Sequence, residues 1–283
     1  MPRLRVLVTG ATGYIAKQLL PAFRERYELT LIDLRTRDAE GRPVEGVRVV
    51  DLLREREESL ALLFQSVDVV VHLAYVRPEG SDPRVQYEVE RTNVDMMQRV
   101  YQLSLDNGVR RVVAASTNQA AKWYEQPWSR GLRDTVSPED YPRPDSFYGW
   151  AKAAYEALGF VYACGALGRK LEVVQIRIVA PREIRARDYV DKPLFRYLRD
   201  LAGYVSPRDL QQLFCRSIET PNIEDEHGVP FHIFYGVSNN ARKFWSIVNA
   251  RRVVGYDPQD DSEVLYADEI RQMLGSGERA GGQ

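Results

Sequence analysis

Apolar positions along the chain fall into two alternating rhythms. Short apolar runs recur over residues 6–8, 28–32, 47–50, 67–73, 109–115 and 171–179. Most are rich in β-branched residues, and their length suits strands buried on both faces. Between them the spacing turns helical. Ile15, Leu19, Leu20 and Phe23 mark a first helix, bent at its internal Pro21, and residues 54–65 read as a charged amphipathic helix. Val89, Val94, Met97, Val100, Tyr101 and Leu103 share one face of a helix over 88–107, with Gly108 as its C-cap. After a loop over 127–144, rich in proline and charge, a long helical pattern resumes over 147–167. Strands and helices therefore alternate through residue 180 with no internal repeat, which predicts an α/β fold with a doubly wound parallel sheet.

Past Val179 the rhythm weakens. Residues 181–197 are rich in arginine and read as irregular chain or a mobile flap. Ser206 opens a helix carrying Leu210, Leu213, Phe214 and Ile218; a strand over 231–235 and a short helix over 241–250 follow. This stretch is too small to stand alone. The expected organisation is a core over residues 1–180, a small, partly interleaved lobe over 181–274, and a disordered glycine-rich tail over 275–283.

The junction of the first strand and helix carries the first chemical signal. In Thr9-Gly10-Ala11-Thr12-Gly13-Tyr14-Ile15-Ala16 a strand ends in a glycine turn and a helix begins. That order aims free backbone N–H groups and the positive end of a helix dipole at a phosphate. Gly10 allows the tight turn, Gly13 lets a pyrophosphate approach the backbone, and Ala16 stands where a third glycine would. The second strand ends in Asp33, about 20 residues beyond the turn. A carboxylate there can accept from both ribose hydroxyls of NAD and repels a 2′-phosphate, so NAD is favoured over NADP; the plain alternative is a strand-end turn former. Asp51-Leu52, after the third strand, either meets the adenine amino group or simply opens a helix.

Composition narrows the partners. Of 283 residues, 44% are hydrophobic and 28% charged, with a net charge of −1. This balance carries no electrostatic signature of nucleic acid or anionic membrane. No apolar run approaches the ~20 residues of a membrane span. The strand signal at Leu4 leaves no room for a signal peptide, so a cytoplasmic location is expected. Cys164 and Cys215 are too few and too isolated for a disulfide framework or a metal site.

The second chemical signal is Tyr148-Gly-Trp-Ala-Lys152 at the start of the long helix, a four-residue spacing that puts both side chains on one face. An ammonium within reach of a phenol lowers its pKa, and a phenol so tuned can take a proton from a substrate hydroxyl. Ser116-Thr117 ends the fifth strand, at the sheet end where ligands of open α/β sheets bind.

Together these elements resemble the extended short-chain dehydrogenase/reductase superfamily over nearly the whole chain, with its Rossmann-type sheet. Narrower stretches, Arg143 to Lys152, Tyr235 to Trp245 and Gly255-Tyr-Asp-Pro-Gln-Asp260, are similar to the hexuronate dehydrogenases, which oxidise the C1 hydroxyl of a sugar acid to a lactone with NAD. The resemblance implies that Thr117 polarises the substrate hydroxyl, Tyr148 is the base, and Lys152 lowers its pKa and holds the nicotinamide ribose. It implies a NAD site lined by Gly10, Thr12, Gly13, Tyr14, Ile15, Asp33, Asp51, Leu52, Leu73, Ala74, Tyr75, Asn93, Tyr148, Lys152 and Ile178. Substrate contacts fall to Arg77, Thr117, Asn118, Gln119 and Arg199, and His72 is structural. By analogy, the helices over 88–107 and 147–167 supply the faces of a homo-oligomer, a dimer or higher.

Departures from the group fall where substrate sits. Gln119 stands in place of a histidine, Ala180 in place of a serine, and Arg77 near a small hydroxyl residue. Arginine grips carboxylate or phosphate through paired hydrogen bonds, so Arg77, Arg185, Arg187 and Arg199 point to an anionic sugar, a hexuronate or a sugar phosphate. Trp123 and Tyr124 suit either a sugar platform or core packing. The alternatives are a nucleotide-sugar epimerase or dehydratase that retains NAD, and a non-catalytic NAD-binding regulator.

Overall fold

Successive side chains of one strand enter opposite cores. In the computed structural model, which describes residues 3–278, Val6 and Val8 of β1 (Arg5–Thr9) join one apolar cluster and Leu7 the other. The same division holds in β4 (Val69–His72), where Val69 and Val71 face one way and Val70 the other. A strand buried on both faces has no place for a polar alternation, which is why the runs read as continuous apolar segments.

In chain order the elements after β1 are α1 (Tyr14–Arg26), β2 (Glu28–Asp33), β3 (Val47–Val49), α2 (Glu57–Phe64), β4, α3 (Pro83–Asp106) and β5 (Arg111–Thr117). A 3₁₀ segment (Asn118–Tyr124) leads into α4 (Glu125–Ser129), followed by α5 (Phe147–Ala163), β6 (Glu172–Ile178) and a 3₁₀ turn (Ala186–Tyr189). The rest comprises α6 (Leu194–Gly203), α7 (Pro207–Glu219), β7 (Phe231–Gly236), α8 (Val248–Val254), α9 (Ser262–Leu265) and α10 (Ala267–Glu278). All seven strands are parallel in the order β3-β2-β1-β4-β5-β6-β7. The order reverses between β1 and β4, and the crevice at their carboxyl ends is where such sheets take ligands. Residues of α1, α7 and α8 share one core cluster, and residues of α2, α3 and α5 the other.

Several expectations need correction. Helix α3 begins five residues before the apolar face becomes readable, because Asp82 caps it by accepting from the Arg84 N–H and Pro83 fits the first turn. Helix α1 does continue through Pro21, as the apolar face reaching Phe23 predicts. Part of the 127–144 loop is α4, and the helix expected over 241–250 lies at Val248–Val254 instead. Residues 181–197 are not wholly irregular. They enter α6, and Ile184, Tyr189, Tyr197, Leu201 and Tyr204 form a third small core against Tyr266, Ile270 and Met273 of the C-terminal helices. The first four residues of the expected tail continue α10; residues 279–283 lie outside those described. β7 extends the main sheet, and residues of α7 and α1 share one core cluster. Among the described residues no helix is long and apolar enough to cross a membrane, and no cluster of His, Cys, Asp and Glu could hold a metal.

Candidate active site

The glycine turn stands against the chain leaving β4. Gly10 has φ +69°, and a Cβ there would lie 2.6 Å from the Ala74 backbone nitrogen, so only glycine fits. Leu73 N–H donates to the Thr9 carbonyl (3.1 Å) and Ala74 N–H to Thr9 Oγ1 (3.3 Å). Thr9 Oγ1 also bonds His72 Nδ1 (2.8 Å), and burial, with the Lys152 charge, depresses His72 to about 3, so this imidazole is neutral. That accords with a structural histidine.

Gly13 caps α1 with no side-chain bond and no acidic residue follows in the first turn, so α1 itself sets no carboxylate on its first N–H groups. Asp33 ends β2 facing this turn: its Oδ2 accepts from the Thr12 N–H (2.9 Å) and hydroxyl (2.8 Å). Arg35 Nε donates to the same hydroxyl (3.4 Å). Ile15 packs on the core, whereas Tyr14 is exposed and donates to the Pro181 carbonyl (2.7 Å). Asp51 accepts from the Leu53 and Arg54 N–H groups, so its turn-capping bonds are explicit, and Leu52 is buried.

Three of the predicted residues converge where β5 meets α5. Helix α5 starts at Ser146, whose hydroxyl accepts from Gly149 N–H, and its first turns carry Tyr148 and Lys152 to the end of β5. Thr117 stands beside the Tyr148 phenol and favours its phenolate form, while its hydroxyl donates to Asn118 Oδ1 at 3.5 Å. Burial raises the phenol's pKa, Thr117 opposes it, Glu90 adds to the rise, and Arg77 opposes. Lys152 is buried, donates to the Ala115 carbonyl (2.9 Å), and lies 4.3 Å from the Tyr155 ring centre but 6.0 Å from that of Tyr148. Burial outweighs Thr117 and Arg77, so the phenol stands above its ordinary value. Burial lowers Lys152 itself to about 8, with Glu90 and Glu156 favouring its charged form. Ser116 is directed away from Tyr148 and donates to buried Glu156 (2.8 Å), while Ile178 pairs with Thr117 in the sheet.

The loop after β4 forms another wall. Asn93 clamps Val76 through both its N–H and its carbonyl, each at 2.8 Å. Tyr75 donates to Glu90 Oε1 (2.5 Å), and its ring meets Tyr148 edge-on at 5.3 Å. Arg77 is exposed and carries no carboxylate among the described residues.

The remaining substrate candidates diverge. Gln119 Oε1 accepts from Ser146 Oγ (3.5 Å), and its carbonyl lies against Gly149. Asn118 donates to Glu125, and Arg199 is buried between Glu125 and Asp200, so Arg199 is not a free anion receptor as expected. Arg185 is paired with Glu183; with Arg187 it borders a surface hollow beside Glu269 and Gln272. Tyr124 is core, its hydroxyl on the Tyr141 carbonyl, and Trp123 stacks under Arg143. Glu90, Glu125, Glu156 and Asp200 were not picked out from sequence. Their signal there is an acidic residue inside an apolar helical spacing, which charge counts alone do not separate from a solvated face.

The profile described as the NAD dependent epimerase/dehydratase family matches residues 6–177. A NAD-dependent glucose-6-phosphate dehydrogenase of Haloferax volcanii is 32% identical, covering 91% of this chain and 94% of that protein. An L-arabinose 1-dehydrogenase (NAD(P)(+)) of the same organism is 31% identical over 92% and 98%. The crystal structure of uronate dehydrogenase from Agrobacterium tumefaciens superposes with a TM-score of 0.71 at 22% identity, covering 96% of this chain and 90% of that one.

Proposed function

The chain belongs to the NAD dependent epimerase/dehydratase family, and from that premise we propose that it oxidises the anomeric C1 hydroxyl of an aldose to a lactone. The observation that carries this reading is the convergence of Thr117, Tyr148 and Lys152 at the carboxyl end of β5, in a sheet whose first helix opens without a side-chain cap. Two relatives spanning more than nine-tenths of the chain are named as sugar dehydrogenases, and one of those names gives position 1.

The residues fit NAD. The uncapped first turn of α1 suits the pyrophosphate, Asp33 suits the adenosine ribose, and Tyr75, Lys152 and Ile178 border the place for the nicotinamide end. When bound, NAD supplies the acceptor for the hydride of C1. The protein's own part is orientation and proton management. Thr117 would hold the C1 hydroxyl against Tyr148, which as phenolate takes its proton. Arg77 favours that phenolate. Lys152, fixed by the Ala115 carbonyl, would donate to the nicotinamide ribose, and Asn93 keeps the 73–76 segment in place through Val76.

The test uses aldoses with a free anomeric hydroxyl and the methyl glycosides of the same sugars. NADH and lactone from the former, with the glycosides inert, is the expected result. NADH from a methyl glycoside, or interconversion of sugars with no net NADH, would contradict it.

A further inference from the structure

A buried chain of charge leads away from the reacting end of this site. Asn118, one residue beyond Thr117, donates from Nδ2 to Glu125 Oε1 at 3.0 Å. The same oxygen accepts from Arg199 Nε at 3.1 Å and Nη2 at 2.6 Å. Arg199 Nη1 donates to Asp200 Oδ1 at 2.8 Å. The other Asp200 oxygen accepts from the Tyr189 hydroxyl at 2.6 Å and from Arg182 at 2.5 Å. Trp245 covers Arg199, its ring centre 5.2 Å from the guanidinium carbon. Two guanidinium groups thus meet two carboxylates, and the formal charge of the cluster cancels.

We propose that Glu125 sets the site for an uncharged aldose by neutralising Arg199, against sugars that carry a carboxylate or phosphate. The inference rests on the reading of the site as an aldose dehydrogenase. An unpaired buried guanidinium is a two-pronged receptor for a carboxylate. Here Glu125 and Asp200 already occupy the Nε, Nη1 and Nη2 directions. A uronate reaching Arg199 would add a third anion beside Glu125 in a weakly screened interior. A sugar hydroxyl meets no such repulsion. All three Glu125 bonds fall on Oε1, so Oε2, with no protein donor among the described residues, is an acceptor for that hydroxyl.

The test compares kcat/KM for neutral hexoses and pentoses, the matching hexuronates and a hexose 6-phosphate, in the wild type and in Glu125→Gln. The wild type should prefer the neutral sugars, and the glutamine variant should shift the neutral-to-uronate ratio about tenfold or more toward uronates. A wild-type preference for uronate or phosphosugar overturns the proposal and leaves the dehydrogenase reading standing. Turnover of no sugar defeats that reading, and the proposal with it. A Glu125→Gln protein that slows every sugar in proportion, its ratio unchanged, also overturns the proposal, since the cluster would then only support the fold. Should Glu125→Gln fail to fold, the wild-type ratio and the same shift in Asp200→Asn decide.

Discussion

Tyr148 sits under opposed influences, with burial and Glu90 raising its pKa and Thr117 and Arg77 lowering it. A phenol held above its ordinary value forms phenolate late, so the rising limb of kcat/KM should lie on the alkaline side. Arg77→Ala removes a cation that favours the phenolate. Its rising limb should move to higher pH, Arg77→Lys should largely restore it, and an unmoved limb would separate Arg77 from the base. His72 gives a second, independent signature. Burial, then the Lys152 charge, hold it at about 3 in the fold, against an ordinary value of 6.5. Its contribution is fully present above pH 6.5 and is lost as pH falls from there toward 3, because the unfolded chain takes up a proton the folded one refuses. The stability lost over that window is on the order of a few kcal/mol. Urea titrations should show a shallower pH dependence in His72→Phe than in the wild type; parallel curves would count against the buried neutral imidazole.

At the scale of the element, α5 carries both Tyr148 and Lys152 of the proposed site, and only half of its support is legible in the sequence. Tyr148, Lys152 and their shared face follow from spacing alone. Gly149 is explained only by the fold: a Cβ there would lie 2.4 Å from the Gln119 carbonyl oxygen, so helix and 3₁₀ segment touch backbone to backbone. Gly149→Ala should displace the turn that carries Tyr148 and lower kcat by about a hundredfold, since a shift near 1 Å costs that much. Activity close to wild type would show that the segment yields. Farther along α5, Glu156 pairs with Arg177 of β6 through two bonds of 2.8 and 2.7 Å, and Arg177 reaches the Tyr235 hydroxyl of β7 at 2.8 Å. This buried pair joins residues 21 apart and was invisible to a periodicity argument. Glu156→Ala strands a buried guanidinium and should destabilise the fold by about 3–5 kcal/mol, measured by chemical denaturation; a loss below about 1 kcal/mol would show that Arg177 finds another partner or water.

Across the whole molecule, the part of the fold legible in the sequence is the part whose residues are buried on regular periods. The doubly wound sheet, the glycine turn with Asp33, and the Ser206 cap of α7 all carried local signals, and the structure contains each. The 181–204 region did not. Its cohesion comes from Tyr189 against Tyr197, across a turn of irregular spacing, and from Tyr204 against Tyr266, 62 residues away, and neither contact leaves a local rhythm. For the same reason Arg199 read as a free anion receptor, when its partner Glu125 lies 74 residues away. The meeting of Thr117, Tyr148 and Lys152 was therefore legible, and the burial of Arg199 between Glu125 and Asp200 was not.

The account stands most directly on Tyr148 as the base. Net NADH formation from a neutral aldose, measured in the wild type and in Tyr148→Phe with NAD binding followed in parallel, tests it in one comparison. Unchanged NAD binding with kcat lowered by about 10²–10⁴-fold is the predicted result. A Tyr148→Phe protein that binds NAD and keeps the wild-type kcat would contradict it.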